Sequence, residues 1–146
     1  MRAVIVRARA LWESITEPRH LKVGYFGIYL LTVAIGVVTL VWPPRSIEGP
    51  VGSASTALWA SLFIFGGVVG AVTVLPGWWW LERALAIVPI SLGLLIYVVV
   101  VLILHFQGLD QGASRLTQLG VILLAGTPFA LRFLLIREYT FEPRRG

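Results

Sequence analysis

Four long apolar runs constrain what this chain can fold into. They are Val23 to Trp42 (VGYFGIYLLTVAIGVVTLVW), Ala57 to Leu75 (ALWASLFIFGGVVGAVTVL), Ala84 to Phe106 (ALAIVPISLGLLIYVVVVLILHF) and Leu116 to Ile136 (LTQLGVILLAGTPFALRFLLI). A helix of about 20 residues rises about 30 Å, which matches the hydrocarbon core of a bilayer. The β-branched run Tyr97 to Val101 would suit a strand in water, but its flanks extend the apolar segment too far for one. Composition agrees: 58% of residues are hydrophobic and 13% charged, against about 45–50% and about 25% in soluble domains. The predicted fold class is all-α, a four-helix transmembrane bundle (residues 23–136) preceded by a cytoplasmic amphipathic segment (1–22) and followed by a basic cytoplasmic tail (137–146).

Punctuation supports four separate spans. Pro43 and Pro44 stop the first, Ser53 or Ser55 can cap the second, and Pro76-Gly77 forces a tight turn before the third. Pro89 lies about a turn and a half inside the third span and predicts a kink or local unwinding, and Pro128 interrupts the fourth. The first run is too long for a signal peptide and ends without a small-residue cleavage pattern, so it is expected to be retained.

The basic residues orient these spans. Arg2, Arg7, Arg9, Arg19, Lys22, Arg83, Arg132, Arg137, Arg144 and Arg145 fall on one side, leaving Arg45 and Arg115 on the other. Lys and Arg accumulate in cytoplasmic loops, so both termini are expected to be cytoplasmic, in a bacterial cytoplasmic membrane. The triplet Trp78, Trp79 and Trp80 then sits at the cytoplasmic headgroup level beside Glu82 and Arg83, with Trp42 and Trp59 forming the opposite belt. Three successive helical residues point about 100° apart, and an interface surrounds a helix on every side. Trp12 anchors the N-terminal segment. There Val4, Ala8, Leu11, Trp12 and Ile15 share one helical face opposite Arg2, Arg9, Glu13 and Glu17, the pattern of a helix lying in the interface.

Chemistry is sparse in the apolar runs. They contain no Asp, Glu or Lys, and their ionisable residues are His105 and Arg132, each near a span end from which it can snorkel to headgroups. Cysteine is absent, and no nucleophile, phosphate-binding, dinucleotide-binding or zinc-protease motif occurs. We therefore expect no catalytic residue, metal site or cofactor. The net charge of +5 tracks the inner membrane face, so anionic headgroups and the bilayer are the expected partners and nucleic acid is not. Gly66, Gly67 and Gly70 in the second span, Gly24, Gly27, Thr32 and Gly36 in the first, and Ser91 and Gly93 in the third are candidate helix-packing positions, within the bundle or in a homo-oligomer. Arg132, Tyr29 and Tyr97 are the candidate pore or headgroup contacts.

The strings LWESITEPRHLK (Leu11 to Lys22), PPRSIEGPVG (Pro43 to Gly52), GWWWLERA (Gly77 to Ala84) and REYTFEPRRG (Arg137 to Gly146) resemble those of small four-helix membrane proteins encoded by bacteriophages of actinobacteria. Most members of that group carry no assigned activity, and some sit near lysis genes. The resemblance implies a holin-like protein that permeabilises the host membrane during lysis, and it supplies no catalytic or binding residue. A structural or accessory subunit of a membrane complex, and a small channel or carrier, are the alternatives that the residues themselves allow.

Orientation is directly measurable. Alkaline phosphatase fused after Gly146 should be inactive and a cytoplasmic reporter there active; an active phosphatase would reverse the bundle.

Overall fold

The computed structural model describes residues 19–43, 52–108 and 115–137. The described residues form four helices, α1 (Arg19–Val41), α2 (Ser53–Val74), α3 (Trp79–Gly108) and α4 (Leu116–Arg137), each long and apolar enough to cross a membrane. They contain no strand. The N-terminal amphipathic segment with Trp12, most of both outer loops and the tail lie outside the described residues.

Successive helices run in alternating directions and pack in chain order: α1 on α2, α2 on α3, α3 on α4. The starts of α1 and α3 and the ends of α2 and α4 share one end of the bundle, the proximal end. α3 begins before the third apolar run and takes in Trp79, Trp80, Glu82 and Arg83. A charged side chain ends an apolar run without ending a helix, so the helix extends beyond the run.

The first helix is built inside-out relative to a helix in water. Its buried residues are Lys22, Tyr25, Tyr29, Thr32, Gly36 and Thr39, a strict alternation of three and four, while Leu30, Leu31, Ile35 and Val38 face outward. Spacing of that kind keeps one seam against a neighbour in a left-handed crossing. Lipid tails are as apolar as leucine, so what gathers at the seam is small and polar. The threonines satisfy themselves: Thr32 Oγ1 donates to Ile28 O (2.9 Å), Thr39 Oγ1 to Ile35 O (2.8 Å) and Thr73 Oγ1 to Val69 O (2.7 Å). Thr32 therefore makes its hydrogen bond within its own helix and not across the seam.

Glycines bring the helices together. A Cβ on Gly36 would lie 2.8 Å from Ala60 O, and one on Gly67 would lie 2.9 Å from Tyr29 O, so α1 and α2 meet backbone to backbone. Gly66 performs the same service toward α3, where a Cβ would be 2.8 Å from Ala86 O, and Gly93 gives room to Phe63. Gly70 faces the Tyr29 ring so closely that any side chain would displace it. Gly24 and Gly27 have nothing within 4 Å of a Cβ and lie on the outer face of α1.

Two breakers shape the α2–α3 hairpin. Gly77 has φ +78°, and its N–H and that of Trp78 both donate to Thr73 O at 3.1 Å, closing α2 with a left-handed residue that only glycine adopts cheaply. In α3, residues Glu82–Ile87 form a π-helical turn, with the Val88 N–H reaching back to Arg83 O. This wide turn ends two residues before Pro89, whose ring would clash with the carbonyl four residues earlier in a regular α-helix. The local unwinding predicted at Pro89 thus takes the form of a π-turn. At the start of α2 neither serine caps: Gly52, which has no side chain to offer the first N–H groups, occupies the cap position.

Gly70→Val should destabilise the bundle by about 1–3 kcal/mol, as overpacking does, while Gly27→Ala should be neutral or stabilising by up to about 1 kcal/mol. Thermal or denaturant unfolding in one detergent measures both. Equal effects at the two positions would contradict the packing described.

Candidate functional site

The seam of α1 leads at the proximal end into a cluster of charge. Glu82 is fully buried in the π-turn of α3 and Arg132 is 7% exposed on α4. The two form a bidentate ion pair, Arg132 Nε to Glu82 Oε1 at 2.7 Å and Arg132 Nη2 to Oε2 at 2.8 Å. Tyr29, on α1, donates its hydroxyl to Glu82 Oε1 at 2.9 Å. The Arg132 guanidinium carbon lies 4.8 Å from the centre of the Tyr25 ring, and the Tyr29 ring tilts against Phe129 at 6.0 Å. One carboxylate therefore ties three helices.

The fourth helix joins through its backbone. Lys22 is 2% exposed, and its Nζ donates to Leu75 O at the C-terminal end of α2 (3.4 Å), where free carbonyls and the helix dipole favour a cation. The Nζ also stands 6.0 Å from the Trp79 ring centre. Gly77 is closed in by both: a Cβ there would lie 2.6 Å from Trp79 Nε1 and 2.9 Å from Lys22 Nζ.

Position along the helices sets the cost of this charge. Glu82 is the fourth residue of α3, about 5 Å of helix rise from its start, and Arg132 lies five residues before the end of α4. The cluster thus sits toward the end of the bundle and not at its middle. Its carboxylate is nonetheless enclosed by protein, and a buried carboxylate is tolerable only when its oxygens are satisfied. Both are. Glu82 thus lies at the centre of the proximal core instead of facing outward, and Arg132, a candidate pore or headgroup contact, is engaged by its carboxylate. Among the described residues no group of three His, Asp or Glu side chains could hold a metal ion.

A smaller polar contact joins α3 and α4 at the distal end. Gln118 Nε2 donates to Tyr97 OH at 2.7 Å, and the Arg115 backbone N–H donates to His105 Nδ1 at 3.3 Å. Tyr97 stacks on Trp59 (4.8 Å, 6° between planes), and Trp59 meets Phe63 edge-on at 5.4 Å. Trp59 is only 3% exposed, and its Nε1 has no acceptor among the described residues. It packs inward instead of joining an outer belt, whereas Trp42 points outward. The triplet also divides: Trp78 and Trp80 are more than half exposed, and Trp79 turns in against the core. An open apolar groove of about 570 Å³ runs between α3 and α4 beside the ion pair, lined by Ile87, Leu92, Leu95, Phe129 and Phe133.

Arg132, Tyr29 and the five packing glycines were legible as candidates; Glu82, Lys22 and Tyr25 were not. The missing signal was in α1, where Lys22, Tyr25, Tyr29, Thr32, Gly36 and Thr39 mark the buried seam at heptad spacing. A polar stripe on a membrane helix points inward, and its partners had to be the ionisable residues at the same end of α3 and α4.

No protein-family model, curated protein or solved structure matches this chain.

Removing one member of the ion pair should cost far more than removing both. Glu82→Gln or Arg132→Met should lower stability by about 3–5 kcal/mol, because each strands its buried partner, and the Glu82→Gln/Arg132→Met double variant should recover part of that loss. Tyr29→Phe should cost about 1.5–3 kcal/mol, the range for a hydrogen bond to a charged group. Unfolding in detergent measures the cycle, and additive losses would show that the two side chains do not interact.

Proposed function

We propose that this chain is a multi-pass protein of a bacterial cytoplasmic membrane, with both termini cytoplasmic, that acts by assembling in the membrane plane and not by catalysis. The observation supporting this reading is the disposition of buried charge. Lys22, Glu82 and Arg132 are the buried Lys, Arg, Asp and Glu side chains among the described residues, and all three belong to one cluster at the proximal end. An ion-coupled carrier uses such groups near the midplane, along the path of its substrate. Here they are engaged in joining helices, and the outward faces of α1 and α4 carry bulky apolar side chains suited to lipid or to another helix. The chain then works as a structural or accessory subunit of a membrane complex, or of a complex of its own copies. Arg83 and the exposed Arg137 lie at the level of anionic headgroups on the cytoplasmic side.

A holin-like activity is the second reading. It rests on the resemblance to actinobacteriophage membrane proteins and on the way α4 is held, by polar contacts toward its two ends and beside an open groove against α3. A helix fastened in this way can rearrange when copies assemble into a permeabilising form.

Inducible expression separates the readings. Differently tagged copies, or one stoichiometric partner protein, should co-purify after mild solubilisation under the assembly reading, with membrane potential intact if the chain is an accessory subunit and collapsing at a defined time if it is holin-like. Monomeric protein that co-purifies with no stoichiometric partner, at high expression and with an intact potential, would defeat both.

A further inference from the structure

We propose that α4 is an exchangeable helix, and that copies of this chain associate when Arg132 of one copy occupies the Glu82 site of another. The inference rests on the assembly reading above and specifies its interface.

The reasoning begins with what holds α4. In its half nearer α3's end, from Leu116 to Ala125, Ile122 is the one buried side chain, and most of the remainder face outward. Its firm attachments are the bidentate pair to Glu82, the Tyr25 and Phe129 ring contacts at the same end, and the Gln118 to Tyr97 hydrogen bond. The α1–α2–α3 unit, by contrast, is drawn together by Gly36, Gly66, Gly67, Gly70 and Gly93. On α4 neither Gly120 nor Gly126 makes a close approach: nothing lies within 4 Å of a Cβ on the first, and only Leu94 Cδ1, at 3.6 Å, on the second.

A bilayer changes what it means for such a helix to leave. Apolar side chains of α4 lose little by moving from the groove into lipid, because lipid tails are equally apolar. Glu82 loses its counter-charge and two hydrogen bonds, which leaves a buried carboxylate short of partners. The vacated site therefore requires a guanidinium at one fixed place, and an identical chain carries one at that place. Replacement by a second α4 restores every contact of the first, which is why exchange of an element between copies is a low-cost route to association.

Complementary charge reversal tests this. One tagged copy carries Glu82→Arg and the other Arg132→Glu, so each alone places like charges together and should lower the folded yield about tenfold or more. In an exchanged pair both sites hold one acid and one base, and coexpression should return the yield to within about twofold of the parent chain. The same two changes in one chain provide the control for reversal within a copy. Because the chain has no cysteine, a second readout is available: Leu94→Cys in one copy and Gly126→Cys in another, with every other contact native. Exchange predicts a covalent link between the two tagged copies. Copies that co-purify without this link, with no rescue on coexpression, would overturn exchange while leaving assembly intact. Copies that do not co-purify at all would overturn both.

Discussion

The carboxylate of Glu82 needs three hydrogen bonds where no water can supply them, and much of the bundle is arranged to provide these. Tyr29 supplies one from α1 and Arg132 two from α4. The π-turn from Glu82 to Ile87 sets the direction of the side chain, since one additional residue in a turn re-aims what precedes it by about 100°. That turn is placed by Pro89. Gly70 admits the Tyr29 ring, and Gly77 reverses the chain while leaving space for Lys22 and Trp79. Features that look independent along the sequence, a proline, two glycines and two tyrosines, thus serve one buried charge.

Around that centre the molecule uses two kinds of cohesion. α1, α2 and α3 meet through glycines at distances that exclude any side chain, a large number of small dispersion contacts made possible by close backbones. α4 adheres through polar groups toward its ends and a few buried apolar residues, and leaves an open groove against α3. The first kind is distributed and hard to undo one contact at a time. The second is concentrated in a few groups, strong while they are paired and easily satisfied by the same groups on another chain. This contrast links the fold to our proposal of association in the membrane plane.

The same constraint accounts for the divided aromatic residues. An indole has an apolar body and one donor, so both lipid interface and protein interior can receive it. Trp42, Trp78 and Trp80 face outward, whereas Trp59 stacks on Tyr97 and Trp79 lies against the core beneath Lys22. Adjacent residues on one helix end up in different surroundings because the helix turns between them and only one direction faces protein.

What the amino-acid order determined by itself was the number of helices and the approximate ends of all but the third, which starts before its apolar run, because an uncharged apolar run has only one economical conformation in lipid. The glycines that allow close packing were legible for a related reason: in lipid, helices associate where their residues are smallest. Tertiary structure decided which charged residues enter the interior. Glu82 stands beside Arg83 in a turn-flanking stretch that reads as headgroup-facing, and Arg132 reads as a snorkelling residue, since hydropathy measures each residue's affinity for lipid alone. Their burial depends on meeting each other across 50 residues of chain. Two charges that are each too costly to bury become admissible as a pair, and only the packing of α3 against α4, with Tyr29 approaching from α1, brings that pair together.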